Sequence, residues 1–357
     1  MANKYKRILL VGNCFSSNMD ISQNSQYRSY KIQEAFSALG VDVKLLLINY
    51  KSTKCYISDD KKLCVLSAHP LKLFKSRSLL KIFLGDQKPD IYWFTNGPIV
   101  AFISMIFLNI FKKKIIYEVL DNYDTYYPKL LFPITLVDKY IRKSAMLCIY
   151  VTAELAKLDK NKTTKRHVNI NGYDPTIFTK MDKVLSRQQL NIPLDAKVIG
   201  FAGSLDQRVN SNLEYLFKSP KFENCLFVVA SNSSVPEFVD RSNVLFLGKM
   251  AMTQIPLLIN SADIMLIPNR HDEFTKYCFP SKLMEYEGCE ANYIYTPMNK
   301  TVRNISSGYE SSFDMNIYAS DLEKALDMPS SSVRQNSKKY DWLYLAKRLQ
   351  KKLERIH

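Results

Sequence analysis

Pro280-Ser281-Lys282-Leu283-Met284-Glu285 is the stretch of this 357-residue chain whose residue types and spacing best suit chemistry. Proline is favoured in the first turn of a helix, where its missing N–H would lack a partner anyway. The free amides of such a start, together with the positive end of the helix dipole, make an anion site, and Lys282 adds a full charge beside it. Glu285 follows at i+3, so its carboxylate shares a face with Lys282. About a turn from a bound phosphate, that carboxylate is placed to accept hydrogen bonds from both hydroxyls of a ribose. The same spacing also describes an ion pair on the surface of an ordinary helix.

Other routes to phosphate are missing. Neither G-x-x-x-x-G-K-[ST] nor G-x-G-x-x-G occurs. Only ten glycines are present, so phosphate contacts must come from helix ends and side chains. D-x-D is absent too, which argues against a paired-aspartate Mg²⁺ or Mn²⁺ site; no metal and no other cofactor are expected. Seven cysteines, an odd number without a C-x-x-C pair, read as reduced thiols of a cytoplasmic protein. Four scattered histidines do not make a metal centre, and His69 and His167 read as structural.

The elements that must position these residues follow from hydropathy. Strand-length apolar runs lie at Arg7–Gly12, Val41–Ile48, Leu63–Leu66, Ile91–Thr95, Lys114–Leu120 and Met146–Val151, with helical segments between them. A second alternation begins near residue 197, with strands at Val198–Ala202, Leu226–Ala230, Val244–Leu247, Ile264–Ile267 and Tyr293–Tyr295. Near-continuous apolar strands alternating with helices indicate parallel sheets covered on both faces. The expected architecture is α/β: two doubly wound Rossmann-like domains, residues 1–180 and 181–335, facing across a cleft where ligands of such sheets bind. Polar residues 171–195 read as the connection between them. Residues 336–357 form an amphipathic helix expected to pack across the two domains. The longest apolar run, Ile99–Phe111, is too short for a bilayer span of about 20 residues.

The order of several motifs resembles glycosyltransferase family 4-like proteins of the GT-B fold. Pro280-Ser-Lys282-Leu-Met-Glu285-Tyr286 is similar to that family's donor-site pattern P-x-K-x-x-E-Y. Gly200-Phe-Ala-Gly203-Ser204-Leu205 with Arg208 resembles its first donor-domain strand and loop. Asn171-Gly172-Tyr173-Asp174 with Phe178 resembles its N-G-V-D-x-x-x-F junction, and Ser261-Ala262-Asp263-Ile264 the strand entering the donor site. The resemblance implies a metal-independent enzyme moving a sugar from a nucleotide-diphosphate donor to a hydroxyl of a glycan or lipid-linked acceptor in surface polysaccharide biosynthesis, with retention of configuration. It implies donor contacts from Gly203, Ser204, Arg208, Pro280, Ser281, Lys282 and Glu285, and charge stabilisation at the departing diphosphate by Arg208 and Lys282. Lys249 is a candidate for the base pocket. Asp121, after an apolar strand, is the candidate to orient or deprotonate the acceptor, and as a true base it would make inversion the alternative outcome; a helix cap is its other reading. Asn13 and Arg28 flank a polar loop that could hold the acceptor. Many members carry a second glutamate eight positions before Glu285; Tyr277 stands there, and Asp272 and Glu273, at a different spacing, are the candidates to replace it.

Charge is lopsided. The first 180 residues carry 28 Lys+Arg and 14 Asp+Glu, the rest 22 and 20. An excess of that size points to an anionic partner. Leu71–Leu84 mixes four cations with eight apolar residues, and Lys112–Lys114 and Lys139–Lys143 add more. An anionic membrane surface, met by the basic domain from the cytoplasmic side, is the expected partner. Nucleic acid is the rival, but no RRM, KH or zinc-finger signature is present. A nucleotide-sugar epimerase or a non-catalytic nucleotide-sugar binder is the alternative on the same scaffold.

Overall fold

The computed structural model describes residues 5–16, 19–23, 25–69, 72–86, 88–95, 97–110, 113–125, 134–161, 163–233, 242–327 and 340–356. The chain divides into two compact units, Met1–Ile170 with Trp342–His357, and Asn171–Asp341. No helix among the described residues is long and apolar enough to cross a membrane.

The first unit is built on β1 (Arg7–Asn13), α1 (Arg28–Ala38), β2 (Asp42–Asn49), β3 (Leu63–Ser67), α2 (Leu73–Leu84), β4 (Ile91–Phe94), α3 (Pro98–Leu108), β5 (Ile115–Val119), α4 (Ile134–Ser144), β6 (Leu147–Tyr150), α5 (Ala153–Leu158) and β7 (Lys165–Val168). These strands pair in parallel in the order β7-β6-β5-β4-β1-β2-β3, with Tyr56–Ile57 antiparallel at the edge. Right-handed crossovers put α1 on one face of the sheet and α2 to α5 on the other, because the chain reverses its direction of travel after β3. Helix α1 ends where Gly40, at φ +77°, turns its N–H onto the Ser37 carbonyl at 3.0 Å. Its apolar stripe, Ile32, Ala35 and Phe36, meets Leu10, Leu45 and Trp93 of the sheet. The last helix, α12 (Trp342–Glu354), packs on α1 through Ala346, Leu349 and Leu353. It is counted with the first unit.

The second unit contains α6 (Lys183–Gln189), β8 (Lys197–Ala202), α7 (Asn210–Lys218), β9 (Cys225–Ala230), β10 (Val244–Gly248), α8 (Ile255–Ser261), β11 (Ile264–Ile267), α9 (Ser281–Gly288), β12 (Tyr293–Tyr295), α10 (Lys300–Ile305), β13 (Tyr309–Glu310) and α11 (Met315–Leu326). Its sheet is parallel throughout, in the order β10-β9-β8-β11-β12-β13. Leu213, Leu216 and Phe217 of α7 and Tyr318 and Leu322 of α11 close one core over Phe227, Leu266 and Ile294. Residues 171–195, expected as a connection, belong instead to this unit. Asp182 caps α6 by accepting the Leu185 N–H at 2.8 Å. The buried Arg187 then holds the carbonyls of Ser261 and Leu194 and pairs with Asp263 at 3.0 Å. A polar stretch folds here because its charges are buried in pairs.

Arg28, expected beside an acceptor, is buried at the start of α1. Its Nη2 lies 2.9 Å from Oε1 of Glu118 in β5, with side chains 7% and 0% exposed. The same guanidinium donates to the carbonyls of Asn169 at 3.1 Å and Ile170 at 3.0 Å and lies 5.4 Å from the Trp342 ring centroid. It therefore ties together the points where the chain leaves and re-enters the first unit, and its charge is already matched. Removing one member of a buried pair leaves the other uncompensated. Glu118→Gln is expected to lower the urea-unfolding free energy by about 3 kcal/mol or more. Arg28→Met with Glu118→Gln should lose less than the two single losses added; additivity within about 0.5 kcal/mol would contradict the pairing.

Candidate functional site

Ligands of doubly wound sheets bind outside the carboxyl ends of the strands, where strand order reverses. In the second unit that point lies between β8 and β11. Strand β8 runs into Gly203, and β11 runs into residues 268–280, which lead to α9. The approach to α9 is anchored from two sides. The Asn299 side chain caps α10 by accepting the Val302 N–H at 3.0 Å, while its Nδ2 donates to the Cys278 carbonyl at 2.9 Å. Asn171 Nδ2 donates to the Phe279 carbonyl at 3.3 Å. Pro280 is the N-cap of α9 (φ −71°, ψ 121°) and Ser281 its first residue, so the helix starts one position later than expected.

Gly203 and Lys282 fix each other. Gly203 has φ +147°, a conformation side chains rarely adopt, and a Cβ there would lie 2.8 Å from Lys282 Nζ. The ammonium sits in that space, 4.1 Å from the centroid of the Phe201 ring at the end of β8. Glu285 stands one turn along α9 from Lys282, and the two attract. Burial pushes the Lys282 ammonium down to about 8 although Glu285 opposes the shift and nearby Arg208 adds to it. Burial pushes the Glu285 carboxyl up to about 7 against the pull of Lys282.

Arg208 follows β8 by six residues. Its Nε lies 3.0 Å from each carboxylate oxygen of Asp206, its Nη2 pairs with Asp206, and its guanidinium stacks 4.9 Å from the Phe274 ring centroid. Burial opposes ionisation of Asp206, but the hydrogen bonds from Arg208 and the charges of Arg208 and Lys282 win and hold the carboxyl below its ordinary range. The structure thus brings Gly203, Arg208, Lys282 and Glu285 into one electrostatic group. Asp206, Phe201 and Phe274, which the sequence reading did not single out, complete it. Ser204 and Ser281, next in sequence to Gly203 and Lys282, are exposed, and Lys249 is exposed directly after β10. Of the two acids before α9, Asp272 accepts the Thr275 N–H at 2.7 Å, and Glu273 pairs with Lys276 on the surface.

In the first unit, Asn13 ends β1 and Asp121 lies two residues beyond β5, with β4 between those strands. Asp121 is half-buried. Burial, then the Asp121 charge, pushes the Tyr123 hydroxyl well up, so it stays protonated and accepts the Leu120 N–H at 3.3 Å. Tyr126 and Tyr127 lie outside the described residues. Burial, helped by Arg348 and Lys352, pushes His167 down to about 4, so it is neutral at pH 7.

No protein-family model and no curated protein matches the sequence. Solved structures do match. Sucrose-phosphate synthase from Thermosynechococcus elongatus superposes with a TM-score of 0.75 at 14% identity over 98% of both chains. Anabaena HepE, solved with UDP and glucose, gives 0.72 at 13% over 98% of this chain and all of its own. A glycosyltransferase from Rickettsia africae gives 0.71 at 13% over 99% of this chain and all of its own. The fold is GT-B. Within GT-B, the Tyr173 that replaces the valine of the expected junction packs on Gly288 at the end of α9. A Cβ at Gly288 would lie 2.5 Å from the Tyr173 ring, so the larger side chain fits because glycine faces it.

The shifts in the Lys282–Glu285 pair have a sign that can be measured. Unfolded glutamate ionises near 4.5 and Glu285 only near 7, so the folded chain holds the extra proton between these values. Its contribution to stability falls as pH rises from 4.5 to 7. Lys282 is the mirror case: unfolded lysine keeps its proton to 10.5, Lys282 only to about 8, so its contribution rises with pH between 8 and 10.5. Glu285→Gln should therefore gain stability relative to the parent as pH is raised from 4.5 to 7 in chemical denaturation. A difference independent of pH would contradict the shift.

Proposed function

We propose that the protein is a glycosyltransferase that moves a sugar from a nucleotide-diphosphate donor to a hydroxyl of a glycan or lipid-linked acceptor in surface polysaccharide biosynthesis. The observation that carries this reading is the placement of Lys282 and Glu285 on one face of α9, against Gly203, at the strand-order reversal of the second unit. Anabaena HepE, similar in fold, has been solved with UDP and glucose and with UDP-glucose, which supports a nucleotide-sugar donor.

In this reading the diphosphate lies at the start of α9, where Lys282 and Arg208 face the negative charge that grows on the leaving group. Fixed cations in a partly desolvated site stabilise that charge without reorganising, the role a metal has elsewhere, so transfer is proposed to need no metal. Glu285 accepts the ribose hydroxyls when ionised. Gly203 lets backbone approach the phosphates, and Ser204 and Ser281 lie at the rim. With no glutamate at Tyr277, the donor sugar is held by fewer carboxylates than in the family pattern. Attack on the face the nucleotide leaves gives retention. Asp121 is the acceptor-side residue, orienting or deprotonating the incoming hydroxyl, and Asn13 is proposed as a second acceptor contact.

The test is calorimetry with UDP, GDP, ADP and dTDP and their sugars, with donor turnover followed chromatographically. One nucleotide should bind. Lys282→Met and Glu285→Ala should each weaken it roughly 10- to 100-fold, as expected for one charge-assisted contact. Asp121→Asn should leave that affinity unchanged and lower turnover. Failure of every nucleotide to bind, with tight duplex binding in its place, would overturn the proposal.

A further inference from the structure

We propose that the outer face of α3 and α4 in the first unit is a docking surface for an anionic lipid bilayer. The inference stands apart from the donor chemistry and rests on how these helices meet solvent. Helix α3, Pro98–Leu108, carries no charged residue, and its one polar side chain, Ser104, is buried. Its outward positions are Ile103 and Ile106, 48% and 55% exposed. The outer helix of a covered sheet ordinarily turns polar residues to water, and a helix apolar all round is one that something covers. Helix α4 extends the same surface: Leu136 is 65% and Tyr140 44% exposed, and Tyr140 meets Phe102 of α3 edge to face with ring centroids 6.1 Å apart.

The charge around this apolar strip says what covers it. Lys139 and Lys143 share the exposed face of α4 with Leu136 and Tyr140, at spacings of three and four residues. On the other flank, α2 carries Lys75, Arg77 and Lys81, and Arg77 lies 5.8 Å from the ring centroid of Phe107 in α3. Helices α2 to α4 contain a single acid, Asp138, and it is buried against Arg142, whose Nη2 lies 2.6 Å away. The flanking cations are therefore uncompensated within these helices. An apolar strip bordered on both sides by cations in excess over acids is the complement of a bilayer, whose acyl boundary takes the strip while anionic headgroups take the cations. A second copy of this chain would set like charges against each other. The charge excess noted in the first 180 residues thereby acquires a place on the molecule.

The test is co-sedimentation of the full chain with vesicles of phosphatidylcholine alone or with about one-third phosphatidylglycerol. The chain should sediment with the anionic vesicles and lose this with added salt. Lys139→Glu with Lys143→Glu should weaken binding at least about tenfold, since each nearby cation contributes about 1 kcal/mol. Ile103→Ser with Ile106→Ser should weaken it as well while leaving circular dichroism and the melting midpoint unchanged, because all four positions are exposed. Three results would overturn the proposal: equal sedimentation with both vesicle types, indifference to both variants, or a dimer by light scattering that Ile103→Ser with Ile106→Ser dissociates.

Discussion

The site depends on one steric exchange: the space that a side chain would fill at residue 203 is filled by the ammonium of Lys282. The exchange works because two stretches about 80 residues apart end at the same reversal of strand order. Strand β8 delivers a glycine in a conformation closed to other residues, and α9 delivers a lysine whose stem can reach it. Phe201 gives the ammonium a face to rest on. Asn299 and Asn171 hold the carbonyls just ahead of α9, so the helix start cannot drift from the glycine.

Burial at that point sets the chemistry. A lysine and a glutamate taken partly out of water are each pushed toward neutrality, and only their mutual attraction keeps both charged near neutral pH. Arg208 is balanced separately by Asp206 and steadied by Phe274. The group therefore holds two cations and two carboxylates with little net charge, which is compatible with folding. In the proposed function a diphosphate at this point would alter that balance, competing with Asp206 for Arg208 and favouring the protonated form of Lys282.

Much of the fold was legible because strands covered on both faces must be nearly continuous in apolar residues, and those of the two sheet centres are. The elements that escaped lack that signal for physical reasons. Strand β7 reads Lys-Arg-His-Val and lies at a sheet edge, where one side meets solvent. Helix α6 hides in a polar segment because its stability comes from the Asp182 cap and the buried Arg187–Asp263 pair rather than from an apolar stripe. In the site, Lys282, Glu285, Gly203 and Arg208 could be picked from motif and spacing. Phe274 could not, because its cation lies 66 positions away in sequence. Arg28 misled for the same reason: its partner Glu118 is 90 residues distant, and local sequence gives no sign that the charge is already matched.

The claim at the centre is that Lys282 meets the diphosphate with an ammonium that burial has brought close to losing its proton. Calorimetry of the cognate nucleoside diphosphate at pH 8.5, in two buffers of different ionisation enthalpy, measures the protons exchanged on binding. The account predicts uptake of up to about three-quarters of a proton, because a neighbouring polyanion raises the pKa of an ammonium that is mostly deprotonated at this pH, and its disappearance in Lys282→Arg, which stays charged at this pH. Binding without proton uptake in the parent, or uptake that persists in Lys282→Arg, would contradict it.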